Sequence, residues 1–101
     1  MLIYNVTIKV DKSINDAWLL WMKEIHIPEV LATGCFTHHQ FVKLLEVDEA
    51  DGITYAVQYF AESKANYNRY IELYASNLRE AGIKAWGNKF IAFRSLMQVV
   101  H

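Results

Sequence analysis

One cysteine, Cys35, and one proline, Pro28, stand in 101 residues, with only four glycines. A lone thiol excludes an intrachain disulfide. With no export signal at the start of the chain, it points to the cytoplasm as the expected compartment. An excess of one charge is also lacking. Ten basic residues face eleven acidic ones, and the net charge is −1. No two basic residues are adjacent, which excludes a nucleic-acid footprint. No apolar run approaches the ~20 residues of a membrane span, so no membrane partner is expected. Linkers, repeats and low-complexity segments are absent as well.

Apolar side chains are abundant. Hydrophobic residues make up 53% of the chain and aromatic residues 14%, including six Tyr and three Trp. This composition folds as a globular domain, and the length suits one domain over 1–101. A chain this short buries only roughly 60–70% of its unfolded surface. It carries more apolar material than one small core needs, so part of it is expected inside a partner.

Residues 2–10 alternate as a strand, with Tyr4, Val6, Ile8 and Val10 on one face. Asp11 and Ser13 are helix-starting residues, and Ser13 with Asp16 resembles a capping box. Ile14, Ala17, Trp18, Trp21, Met22 and Ile25 follow at helical spacing, which predicts a helix over 14–25. Pro28 disfavours the α region at Ile27, so the helix is expected to end or kink there, with a short turn to Gly34. A second strand is predicted over 36–47. Asp51-Gly52 is the strongest turn signal of the chain, and a third strand follows over 53–61. Ser63 caps a second predicted helix over 64–81, ended by Gly82 or Gly87, and the last strand covers 89–100.

The order βαββαβ gives an α+β fold. It is the ferredoxin-like plait, a four-stranded antiparallel sheet with two helices on one face. Its other face is bare, yet it retains apolar residues, read from the alternation as Phe60, Phe90 and Leu96. Such a patch marks an interface, so a homodimer through the open sheet face is expected.

Several stretches carry a resemblance. They are residues 3–7 (Ile-Tyr-Asn-Val-Thr), 18–22, 26–34 (His-Ile-Pro-Glu-Val-Leu-Ala-Thr-Gly), 53–60 (Ile-Thr-Tyr-Ala-Val-Gln-Tyr-Phe) and 89–94 (Lys-Phe-Ile-Ala-Phe-Arg). Together they resemble a family of short, uncharacterised bacterial proteins, a domain of unknown function. That family is similar to the dimeric α+β barrel superfamily, which includes cofactor-free monooxygenases and haem-degrading enzymes. The resemblance implies a dimer and a pocket. It supplies no catalytic residue set, because fold does not fix function.

The candidate pocket lies between the first helix and the sheet, where Pro28 is expected to break the packing. Its expected ligand-binding residues are Trp18, Trp21, Met22, His26, Phe36 and Asn5. His26 has three readings: a cap on helix-end carbonyls, a proton donor or ligand-orienting group titrating near neutral pH, or a metal ligand. Trp18, Trp21 and Met22 form either an ordinary core stripe or an aromatic wall for a flat ligand. Tyr67, Tyr70 and Tyr74 read as helix-edge residues with wet tips. Asn5, Gln58 and Arg94 belong either to a dimer interface or to the polar end of a pocket. No metal site is expected: His38 and His39 are adjacent on a strand and point to opposite faces. Cys35 has no basic neighbour in sequence and reads as a buried inert thiol. No cofactor is implied. Two functions follow: a small-molecule binding or interaction protein holding an apolar ligand, or a cofactor-independent monooxygenase-like enzyme acting on a flat aromatic substrate.

Overall fold

The alternating residues at the start of the chain form β1, Leu2–Val10. In the computed structural model, which describes residues 1–101, β1 is a central strand of a four-stranded sheet of order β2-β3-β1-β4. The other strands are β2, His38–Lys43, β3, Ile53–Ala61, and β4, Phe90–Gln98. Every pairing is antiparallel. Two helices cross one face, so the architecture is the α+β ferredoxin-like plait. No helix is long and apolar enough to cross a membrane.

The first helix, α1, covers 15–32 in three pieces. Asn15–Trp21 and Ile27–Ala32 are α-helical, and Met22–His26 between them is π-helical. The cap lies earlier than Ser13. Asp11 Oδ1 accepts the Ser13 backbone N–H at 2.8 Å and the Ser13 hydroxyl at 2.7 Å, and these bonds hold its carboxyl below the usual range. The expected break at Pro28 does not occur. Ile27 keeps helical dihedrals, φ −61 and ψ −45, and its N–H reaches the Met22 carbonyl five residues back. A proline ring collides with the carbonyl four residues before it, here that of Glu24. The widened turn accommodates the ring, and the helix runs on. It stops at Gly34, which takes φ 75.

The second helix, α2, covers 64–86 with its own π-helical turn at Ile71–Ala75. Ser63 caps it by accepting the Asn66 N–H at 3.2 Å. It runs past Gly82 to Trp86 and ends at Gly87, φ 60. Strand β2 is shorter than the apolar pattern of 36–47 implies. Cys35 and Phe36 are drawn into the core before the ladder begins. Glu46 takes a positive φ of 58, which ends the extended backbone beyond it.

Register decides which side chains meet the helices. Tyr4 pairs with Tyr59 and Leu96, Val6 with Val57 and Arg94, and Val10 with Phe90. Cross-strand partners share a face, so Phe90 and Leu96 lie on the helix side, not on the open face as expected. The open face carries Ile3, Phe60, Ile91, Phe93 and Met97, joined through the pairs Ile3–Phe60, Ile3–Met97, Thr7–Phe93 and Lys9–Ile91. A one-residue change of phase moves a whole strand's side chains to the other face. On β4 both phases are apolar.

Gly52 adopts φ 146, and a Cβ there would collide with the Val10 carbonyl oxygen. Gly34 also has a positive φ but meets nothing. Gly52→Ala is therefore expected to destabilise the fold by about 2–3 kcal/mol, and Gly34→Ala by only about 1 kcal/mol. Urea unfolding of the two variants checks this ordering; equal losses would contradict it.

Candidate functional site

A cavity of about 60 Å³ lies between the sheet and both helices. Its wall from α1 is Trp18, Trp21, Met22 and His26. Tyr4, Val6, Ile8, Tyr59, Phe90, Ala92 and Arg94 form its floor, and Tyr70, Leu78, Arg79, Gly82 and Trp86 close it from α2. Because β4 is an edge strand, the floor reaches the border of the sheet.

The π turn organises the α1 wall. In a regular α-helix, residues five apart sit roughly 140° apart around the axis. Across the widened turn, Trp21 and His26 stack instead, with ring centroids 4.9 Å apart and 18° between planes. Trp86 meets Trp21 edge-on at 6.0 Å. Opposite them, Leu78, Gly82 and Trp86 recur every four residues and share one face of α2. Gly82 leaves the gap. A Cβ there would lie 3.7 Å from Trp21 Cη2 and 3.8 Å from Phe90 Cζ.

Two polar atoms in this apolar setting have no partner: His26 Nδ1 and Trp86 Nε1. Each buried unsatisfied group costs about 1–3 kcal/mol, so natural folds keep few of them. His26 makes no bond to helix-end carbonyls, because α1 continues beyond it through Ile27–Ala32. Burial, followed by the positive charge of Arg94, lowers its pKa to about 4. At pH 7 the ring is neutral and offers one N–H and one lone pair. Burial, reinforced by neighbouring phenols, also pushes Tyr59 and Tyr70 up, so both stay protonated. Arg79 Nη2 donates to the Tyr4 hydroxyl at 3.0 Å.

Of the six expected site residues, Trp18, Trp21, Met22 and His26 line the cavity. Asn5 does not. It alternates with Tyr4 and Val6, so it lies on the opposite face, where its Nδ2 donates to Thr7 Oγ1 at 3.0 Å. Phe36 also stays out. It packs on Tyr4 at 6.1 Å and on Tyr70 at 5.0 Å, so it backs the tyrosines and fills core. Gly82 and Trp86 lie beyond a helix ending at 81, and Arg79 belongs to no motif, so none of the three was legible as a site residue. The fourfold spacing of Leu78, Gly82 and Trp86 was the available signal. Cys35 is buried, but it has a basic neighbour in space. Arg69 Nε lies 3.4 Å from its Sγ, and Arg69 Nη2 donates to the Gly34 carbonyl at 3.1 Å.

The family model for a domain of unknown function, DUF4286, matches residues 1–100. No curated protein matches. Among solved structures, the chain is similar to a dimeric ferredoxin-like protein from an uncultured marine organism. That likeness has 13% identity and TM-score 0.73, covering 100% of this chain and 96% of that one. A second dimeric ferredoxin-like protein from an uncultured marine organism is 8% identical, with TM-score 0.74 over 99% and 95% of the two chains. A mutant of SnoaB, a cofactor-independent oxygenase from Streptomyces nogalater, is 9% identical. Its TM-score is 0.67 over 99% of this chain and 93% of that one. These identities support a shared fold and nothing finer.

The His26 shift generates a stability slope. Its pKa falls from 6.5 to about 4 on folding, so between those values the unfolded chain binds more protons. Stability is full above pH 6.5 and is lost as pH falls toward 4, by about 2–3 kcal/mol from this group. His26→Phe keeps a ring against Trp21 but cannot titrate. Urea unfolding at pH 7 and pH 4.5 is expected to show a smaller loss for this variant than for the wild type. Equal losses would refute the assignment.

Proposed function

The chain belongs to this family of unknown function, DUF4286, and we propose that it is a homodimeric protein binding a small, largely apolar molecule between its helices and its sheet. The carrying observation is the pair of unpartnered buried atoms, His26 Nδ1 and Trp86 Nε1, at one cavity. An empty apolar gap costs contacts only. Two unpartnered polar groups cost more, and a ligand toward which either side chain turns to hydrogen-bond removes that cost.

Size separates the two expected functions. Pockets that bury a drug-sized ligand enclose roughly 300–1,000 Å³, against about 60 Å³ here. The fold is shared with SnoaB, a cofactor-independent oxygenase, but a flat aromatic substrate of drug-like size needs more room than this cavity offers. A small ligand fits the volume better, so binding is the favoured reading.

The dimer is supported from the other face. Ile91 is 58% exposed, Phe93 65% and Met97 36% on the open side of β4. An apolar patch of this kind marks a partner surface, and two of the similar structures are themselves dimeric. A two-fold pairing of sheet faces covers Phe93 on both copies.

Two experiments test the reading. Analytical ultracentrifugation is expected to give a dimer for the wild type and a monomer for Phe93→Glu, which places an unpaired charge in the interface; a wild-type monomer would refute the dimer. Gly82→Ala gains helix propensity and is expected to stabilise the fold by about 0.5–1 kcal/mol. The added methyl group also narrows the cavity. Native mass spectrometry is expected to find a co-purifying small molecule on the wild type and much less on this variant. Equal loading of both would place the ligand elsewhere.

A further inference from the structure

The charges around the cavity are unbalanced. Arg79 and Arg94 line it, and no carboxylate does. The ion pairs of the chain are Lys9–Asp51, Lys43–Glu49 and Lys84–Glu80, so neither arginine has an acidic partner. Three further titratable groups of the wall are neutral at pH 7: His26 through its low pKa, and the phenols of Tyr59 and Tyr70. Both guanidinium residues are exposed, whereas Trp21 and Phe90 are half-buried. The site therefore has an apolar interior and a cationic rim. Its free donors add to the same sign: the Trp86 indole is a donor only, and guanidinium groups bind planar oxyanions bidentately.

Resting on the reading of this cavity as a binding site, we infer that its ligand is a small organic anion. Its short apolar or single-ring body sits against Trp21, Trp86 and Phe90, and its carboxylate-type oxygens face Arg94 and Arg79. A neutral ligand of the same shape leaves both cations uncompensated, and a cationic one is repelled by them. The nearby His26 responds to the same charge. An anion beside Arg94 offsets the repulsion that helps to keep the imidazole neutral.

The test uses probes matched in shape and different in charge: benzoate against benzyl alcohol and benzylamine, and butyrate against butanol. Tryptophan fluorescence and calorimetric titration at low salt are the readouts. At least one anion is expected to bind ten-fold or more tighter than its neutral counterpart, with no binding of benzylamine. Arg94→Gln is expected to weaken the anion ten-fold and leave the alcohol unchanged, while Arg94→Lys retains part of the affinity. With the anion bound, the proton resonances of the His26 ring are expected to titrate at higher pH than in the free protein. Alcohols binding as tightly as the anions would overturn the anion inference and leave the cavity reading standing. So would an Arg94→Gln variant, folded by circular dichroism, that keeps full anion affinity. If no probe binds at tens of millimolar, both readings fall.

Discussion

A single backbone hydrogen bond, from the Ile27 N–H to the Met22 carbonyl, shapes the candidate site. It closes a five-residue step where an α-helix closes four. The step arises because the chain keeps a proline inside a helix rather than ending the helix before it. Pro28 supplies no N–H and obstructs the carbonyl of Glu24, so a wide turn upstream is the arrangement that preserves both the helix and its packing. Its consequence is lateral. Trp21 and His26 would sit on different sides of a regular helix, and here they stack. The imidazole thereby lines the cavity, and its Nδ1 is buried without a partner. The second π turn, Ile71–Ala75, has no proline near it, and nothing in its residues explains it. It lies between Tyr70 and Leu78, two residues of the same wall.

The cavity concentrates the local rules this chain breaks. A glycine stands within a helix that would be more stable with alanine. A half-buried histidine stands in a setting that depresses its basicity, and an indole N–H has no acceptor. Elsewhere the polar groups are satisfied. The Tyr55 hydroxyl donates to Asn15 Oδ1 at 2.7 Å, and Arg69 bonds the Gly34 carbonyl beyond the end of α1. Departures of this kind are expected to cluster at functional sites, and here they cluster around the proposed binding cavity.

Much of the fold was legible because its signals are local. The alternation of β1, the Ser63 cap and the Gly34 stop each act over a few residues, and the structure uses each of them. What was not legible depends on partners distant in sequence. The phase of β4 is one such case, since Phe90, Ala92 and Leu96 are as apolar as Ile91, Phe93 and Met97. Only pairing with β1 decides between them. Asn5 and Phe36 were misplaced for a related reason. Asn5 was counted by residue type, although the alternation of β1 already placed it opposite Tyr4. Phe36 was counted by its closeness to the helix end, although it is drawn under Tyr4 and Tyr70. The rule for the residue before proline was outweighed by tertiary packing, as Ile27 is itself buried and held helical.

The two faces of β4 bind the two halves of the proposed function together. Along this edge strand, Phe90, Ala92 and Arg94 contribute to the cavity, and the residues between them, Ile91 and Phe93, form the open apolar face. An edge strand is held by hydrogen bonds on one side only, here to β1. A partner pressed on Ile91 and Phe93 therefore supports the strand that the cavity floor rests on. The same alternation leaves little freedom to change either face alone. Slipping β4 by one residue would withdraw Phe90 from the cavity and Phe93 from the open face in a single step. A protein with so small a core thus holds its open apolar face and its cavity floor on one strand, with both set by the same register.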